Sequence, residues 1–268
     1  MVDFIRKDKY NIEDLLHIME LLRGPGGCPW DAEQTHESIR KDFIEETYEV
    51  IEAINKNDKE LLKEELGDVL LQIAFHTQIE KEIDSFGFDE VCDGVCQKLI
   101  ERHPHVFGEV SVSSTDEVLT NWDNIKRKSK GQKTQGSSML KVPKELPALM
   151  RAQKIQSKAK KAGFDWDNID GAFEALYSEL EELKSAMKSG NAEEIRNEMG
   201  DLLFSCVNVS RFLDVEAEEA LTVSNEKFIS RYVTVEKLAE ERNINMKETP
   251  IEELDKLWKE AKTILGSN

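Results

Sequence analysis

The chain has 268 residues, with 54 Asp and Glu against 36 Lys and Arg, so its formal net charge is −18 at pH 7. That balance excludes a dedicated binder of nucleic-acid polymers, which needs a basic face. No apolar run nears the ~20 residues of a membrane span, the polar start MVDFIRKDKYNIED does not read as a signal peptide, and a membrane partner is not expected. The four cysteines, at 28, 92, 96 and 206, form no CxxC pair, which points to reduced thiols in a cytoplasm. Apolar residues recur at helical spacing almost throughout, and strand alternation is absent. In chain order the periodicity predicts helices over 11–22, 36–56, 58–84, 88–103 and 115–129, then over 147–162, 170–189, 191–213, 216–242 and 250–265. Breaks fall at Arg23-Gly24-Pro25-Gly26-Gly27, at Asn55-Lys56-Asn57-Asp58 and at Ser189-Gly190-Asn191. The stretch 129–147, SKGQKTQGSSMLKVPKELP, is polar and without period, and reads as a linker. The expected organisation is an all-α chain with a helical domain over 1–128, a linker over 129–147 and a second helical domain over 148–268.

Two helical halves call for a search for internal repeats, and one is present. Residues 46–75, ETYEVIEAINKNDKELLKEELGDVLLQIAF, align without a gap on residues 179–208, ELEELKSAMKSGNAEEIRNEMGDLLFSCVN. Glu46, Glu49, Glu65 and Asp68 fall on Glu179, Glu182, Glu198 and Asp201, each pair 133 apart in number, and Gly-Asp-x-Leu and a mid-segment turn recur with them. The chain is a tandem duplication of one helical module.

In each copy two acids stand three apart on one helix and two more stand three apart on the next. Positions i and i+3 share a helix face, so each helix offers a carboxylate pair pointing one way. The first helix carries an apolar stripe through Phe43, Thr47, Val50, Ile51 and Ile54, and the second one through Leu62, Leu66, Val69 and Ile73, with the acids at the stripe edges. Packed antiparallel, the two helices bring four carboxylates together beside the core. Such a cluster repels itself unless a cation fills it, and oxygen-only ligands favour Mg²⁺, or Mn²⁺ in its place, over zinc. A soft-metal site from Cys92, Cys96, His103 and His105 lacks zinc-finger spacing, and these read as ordinary helix residues before a His-Pro-His exit.

Gly67 and Gly200 lie inside strong helices, where Gly costs about 1 kcal/mol relative to Ala. A close backbone approach beside the carboxylates, a kink or tight helix packing would account for them. A metal alone does not hold a polyphosphate against this negative charge. Lys227 and Arg231 stand four apart on one face after the second carboxylate helix, and Lys98 and Arg102 do so in the first half, two pairs suited to phosphate oxygens.

The segments GGCPWDAEQTHESIRKDFIEETYEV, EELGDVLLQ and RHPHVFG, with GFDWD, EMGDLLF and NEKFISRY in the second half, resemble the tandem-domain MazG family of nucleoside triphosphate pyrophosphohydrolases over essentially the whole chain. The resemblance implies the all-α NTP pyrophosphatase fold, assembled as a homodimer, and the Mg²⁺-dependent reaction NTP + H₂O → NMP + pyrophosphate with broad base tolerance. It implies Glu179, Glu182, Glu198 and Asp201 as metal ligands and catalytic groups, Lys227 and Arg231 on phosphate, and Trp258 near the base. Trp258 reads equally well as the buried aromatic of an amphipathic helix, LDKLWKEAKTIL. The counterparts in the first half are Glu46, Glu49, Glu65 and Asp68 as metal ligands, with Lys98 and Arg102. The family pattern places the principal activity in the C-terminal half.

The copies differ in two places. The first half has Glu45 before Glu46, whereas Ser178 precedes Glu179, which leaves the general base unassigned. Asn208, seven residues beyond Asp201 on the same helix face, replaces Phe75 of the first copy; a polar group at that depth needs a partner, and a nucleotide supplies one. The competing readings are a narrower dUTP or dCTP diphosphatase and a non-catalytic nucleotide-sensing or dimerisation module.

Overall fold

A computed structural model describes residues 4–129 and 135–266. Among them every regular element is a helix, as the periodicity predicts. The chain divides into two units, Met1–Lys126 and Arg127–Asn268, each described by itself below.

The first unit opens with α1 (Ile12–Arg23), started by an Asn11–Asp14 capping box, and α2 (Pro29–Glu33). Its centre is an antiparallel hairpin of α3 (Arg40–Lys56) and α4 (Lys59–Glu82). The reversal is local chemistry. Asn57 takes the left-handed conformation at φ 52°, and the Asp58 carboxylate accepts from the amides of Glu60 and Leu61, a cap of about 1 kcal/mol. Further helices are α5 (Phe88–Arg102), α6 (Pro104–Phe107) and α7 (Thr115–Ser129). The short α2 and α6 escape a periodicity search, yet both place a proline at their first turn, where its missing N–H is harmless. Met19, Ile39 and Phe75 form the buried core, packed with Leu22, Leu71 and Ile79.

The second unit repeats the hairpin. α10 (Ile169–Ser189) ends at Gly190, left-handed at φ 70°, and α11 (Ala192–Phe212) starts on an Asn191 cap. Around it lie α8 (Gln135–Met139), α9 (Ala148–Lys161), α12 (Ala217–Glu241) and α13 (Ile251–Ile264). Val235, Leu238, Ala239, Leu257 and Ala261 form a core between α12 and α13. Part of the stretch read as a linker is built into this unit. α8 packs on α9, Ser138 and Val142 are buried, and Lys158 donates to the Ser138 hydroxyl. Residues 130–134 of that stretch lie outside the described residues.

The apolar stripes are the main departure from the sequence reading. Phe43, Val50, Leu62, Val69 and Ile73 are half-buried, but Thr47, Ile51, Ile54 and Leu66 are exposed, and Ala53 is the buried residue of α3. In the second unit Tyr177, Met187, Leu203, Phe204, Phe228 and Ile229 are exposed likewise. Periodicity shows that a helix has an apolar face and is silent on whether its own chain covers it.

Candidate functional site

The hairpins turn sequence spacing into a cluster. In the first unit, ligand oxygens of Glu46 and Glu49 on α3 and Glu65 on α4 all lie within 4.8 Å of one another; in the second, those of Glu179 and Glu182 on α10 and Glu198 on α11 do the same. Asp68 and Asp201 stand just outside these triplets, near enough that their charges act on Glu46 and Glu179 respectively. Glu65 is buried, Glu46, Glu49, Glu179 and Glu198 are half-buried, and Glu182 is exposed. Beside the second cluster opens a cleft of about 430 Å³, lined by Ser178, Glu182, Ser185 and Glu198 among others.

Burial first, and then the neighbouring carboxylates, push the Glu46, Glu65 and Glu179 carboxyls above their usual range. None of the six clustered carboxylates is ion-paired with Lys or Arg among the described residues. Close oxygen donors, mutual repulsion and no protein cation to relieve it fit a hard divalent ion. The Cys92, Cys96, His103 and His105 set forms no such group among the described residues.

Gly67 and Gly200 border these acids, and a Cβ built on either meets nothing within 4 Å. The close approach or tight packing considered from sequence is therefore not made among the described residues. The glycines leave open space beside Asp68 and Asp201.

Ser178, where the first copy has Glu45, donates its hydroxyl to Glu182 Oε1 at 2.9 Å. It therefore orients a clustered carboxylate without adding a fourth glutamate charge.

The arginine of each cationic pair lies over a tryptophan. The Arg231 guanidinium lies over the Trp258 ring at 5.9 Å, and the Arg231 Nε is buried without a hydrogen-bond partner. Trp258 packs against the α12–α13 core and against Phe228, 5.2 Å away, as the amphipathic-helix reading expects, and its ring also carries the Arg231 guanidinium. Lys227 is exposed, and neither it nor Arg231 forms an ion pair among the described residues. In the first unit Arg102 lies over Trp122 at 5.4 Å, again with a buried, unpartnered Nε, and Lys98 is exposed. His103 meets the Trp122 ring edge-on at 4.8 Å, and the buried His105 Nδ1 has no partner.

Trp122 is the residue the sequence reading missed. The signal was Trp-x-x-x-Lys, at Trp122–Lys126 and again at Trp258–Lys262. These pairs stand 136 apart, not 133, so a gap-free comparison passes over them.

Asn208 is half-buried on α11, but its partner is internal. Its Oδ1 accepts from Arg211 Nε at 3.0 Å and Nη2 at 2.8 Å, while Arg211 also grips Asp165 with Nη1 and Nη2. In the first unit a guanidinium from another helix meets the equivalent position, that of Arg23, which lies over Phe75 at 5.2 Å with both Glu82 oxygens at 2.8 Å and the Asp31 and Gln34 carbonyls as further acceptors.

Comparison with known proteins agrees with the duplicated geometry. The model of the MazG nucleotide pyrophosphohydrolase domain matches twice, over residues 34–107 and 170–236, spans that hold all eight acids. A nucleoside triphosphate pyrophosphohydrolase/pyrophosphatase MazG of Thermotoga maritima is 45% identical over 250 residues, 93% of this chain and 95% of that protein. A nucleoside triphosphate pyrophosphohydrolase of Escherichia coli K12 is 41% identical over 254 residues, 94% of this chain and 97% of its own length. Another from Mycolicibacterium smegmatis is 41% identical over 165 residues, 61% of this chain and half of that protein. With two domain matches and relatives of this identity along nearly its whole length, the chain belongs to the MazG nucleotide pyrophosphohydrolase family.

Proposed function

We propose that this chain is a nucleoside triphosphate pyrophosphohydrolase that converts NTP and dNTP to the monophosphate and pyrophosphate, with its principal site on the α10–α11 hairpin. The observation that carries this reading is the Glu179, Glu182 and Glu198 cluster, whose oxygens all lie within 4.8 Å of one another in a chain of this family. Glu179, Glu182 and Glu198, with Asp201 beside them, would hold Mg²⁺, for which Mn²⁺ substitutes. Bound there, the ion supplies charge neutralisation of the triphosphate and acidification of water.

The remaining work falls to the chain. Water attacks the α-phosphorus in line, the bond to the bridging oxygen breaks, and pyrophosphate leaves. The proton passes to a carboxylate of the cluster through water, with the exposed Glu182 as the candidate. Lys227 and Arg231 stabilise the charge that develops on the leaving group. Base tolerance is broad, suited to clearing unwanted nucleotides from the pool, because a platform such as Trp258 recognises any base by its ring face. The first cluster, Glu46, Glu49, Glu65 and Asp68, binds the same ion, and with Lys98 and Arg102 serves mainly structure or regulation. The exposed apolar faces of α3, α10 and α12 are covered in a homodimer, and the protein works in the cytoplasm.

A panel of eight NTPs and dNTPs, with products resolved as NMP plus pyrophosphate or NDP plus phosphate, tests the reaction. Glu198→Gln and Asp201→Asn should each abolish pyrophosphate release, and full activity in both would overturn the site assignment. Selectivity for one base well above tenfold would favour a narrow dUTP or dCTP enzyme.

A further inference from the structure

We infer that Asn208 is a specificity-determining residue of the C-terminal site, with the Asp165–Arg211 pair fixing its amide so that Nδ2 donates to an acceptor on the base or ribose of the bound nucleotide. The inference rests on the hydrolase reading above and goes beyond it, since it assigns the recognition of the nucleoside rather than of the phosphates.

The hydrogen-bond inventory fixes which way the amide faces. A guanidinium has five N–H donors and no acceptor, so only the carbonyl oxygen of Asn208 can face Arg211. Four bonds engage the guanidinium, with Nε and Nη2 on Asn208 Oδ1 and Nη1 and Nη2 on the two Asp165 oxygens. Arg211 is 9% exposed and held at both ends, so the orientation is built in, not left to solvent. With Oδ1 committed, the two Nδ2 hydrogens point away from Arg211, and Nδ2 has no partner among the described residues.

Position favours the nucleoside. Asn208 follows Asp201 by seven residues, which is about 10 Å along α11 and within about 20° of the same face. The ribose and base of a nucleotide lie about that far from its terminal phosphates, so a nucleotide that runs from the carboxylates toward the C-terminal end of α11 reaches Asn208. The repeat supplies an internal contrast. At the equivalent place the first unit sets a guanidinium, that of Arg23, over the ring of Phe75, so a guanidinium meets this position in both copies and an amide in only one. The donor is an addition peculiar to the C-terminal copy.

The contrast also gives the test, because two replacements remove the donor while the Asp165 carboxylate still holds Arg211. Asn208→Asp preserves an acceptor for Nε and Nη2, and Asn208→Phe introduces the residue of the first copy without adding charge, at the cost of the Nε acceptor. Steady-state pyrophosphate release from ATP, GTP, CTP and UTP is measured for the full-length protein and both variants, together with inhibition by pyrophosphate, which has neither sugar nor base. The expected result is a rise of about tenfold in KM for at least one nucleotide in both variants, with kcat within about twofold. The pyrophosphate inhibition constant stays unchanged. An unchanged KM in either folded variant, or a KM and inhibition constant that rise together, overturns the assignment and leaves the hydrolase reading intact. A wild-type protein that releases no pyrophosphate from any nucleotide refutes both.

Discussion

Gly200 sits next to Asp201 in the interior of α11, at a backbone conformation open to any residue, since its φ is not positive. A Cβ placed there meets nothing within 4 Å, so Gly200→Ala costs no steric energy within the chain and removes the conformational freedom of the unfolded glycine. The expected gain is about 1 kcal/mol, the Gly-to-Ala difference in a helix interior. In a unit of this size that raises Tm by about 4 °C, measurable by calorimetry without ligand. If the open space is where the triphosphate lies against the carboxylates, the same methyl group obstructs it. Then kcat/KM for NTP falls at least tenfold, about 1.4 kcal/mol of lost transition-state stabilisation. A Tm that falls by several degrees would show that the folded protein already fills the space, most simply with a second copy of the chain. A raised Tm with kcat/KM within twofold of wild type would refute the assignment of the space to substrate. Gly67→Ala, in the matching place on α4, should raise Tm equally and leave turnover nearly untouched if the first cluster is not the principal site.

Arg231→Lys keeps the charge but loses the guanidinium over Trp258, so kcat/KM should fall about tenfold while Tm holds within a degree or two; equal kinetics would confine Arg231 to a point-charge role. Ser178→Ala frees the Glu182 carboxylate, and the Mn²⁺ dissociation constant of the C-terminal cluster, titrated calorimetrically with the first cluster neutralised by Glu49→Gln and Glu65→Gln, should rise two- to fivefold. Ser178→Thr should restore it, and an unchanged constant in Ser178→Ala would deny the serine a positioning role. The pH prediction concerns His76, whose Nδ1 lies 2.7 Å from that of His36, itself bonded through Nε2 to Glu80. Burial, and then His36, hold the His76 pKa below its ordinary 6.5, so the unfolded chain takes up the proton more readily than the folded one. That contribution to stability is whole above about 6.5 and is lost as the pH falls below it. Wild-type Tm should therefore drop between pH 7 and 5 by more than that of His76→Phe, and parallel curves would refute the linkage.

How far these features could be read before any fold was known depends on whether they are local to one helix. The α3–α4 and α10–α11 hairpins are fixed by terms that act within a few residues: an amphipathic period, an Asp58 or Asn191 cap, and a left-handed Asn57 or Gly190 at the turn. The carboxylates were legible for the same reason, because three-residue spacing becomes a shared face as soon as a helix forms, and duplication marks which acids matter. Trp122 and Arg102 meet across nineteen residues of intervening chain, a tertiary contact to which no local periodicity points. The exposure of Ile51, Ile54 and Phe228 was hidden by the same limit, since an apolar stripe has the same spacing whichever surface covers it. Asn208 shows the boundary most clearly. Its type and depth correctly demanded a partner, and the sequence offered a nucleotide. The fold supplied Arg211, one turn along the same helix, and thereby set which atom of the amide remains for anything else to bind.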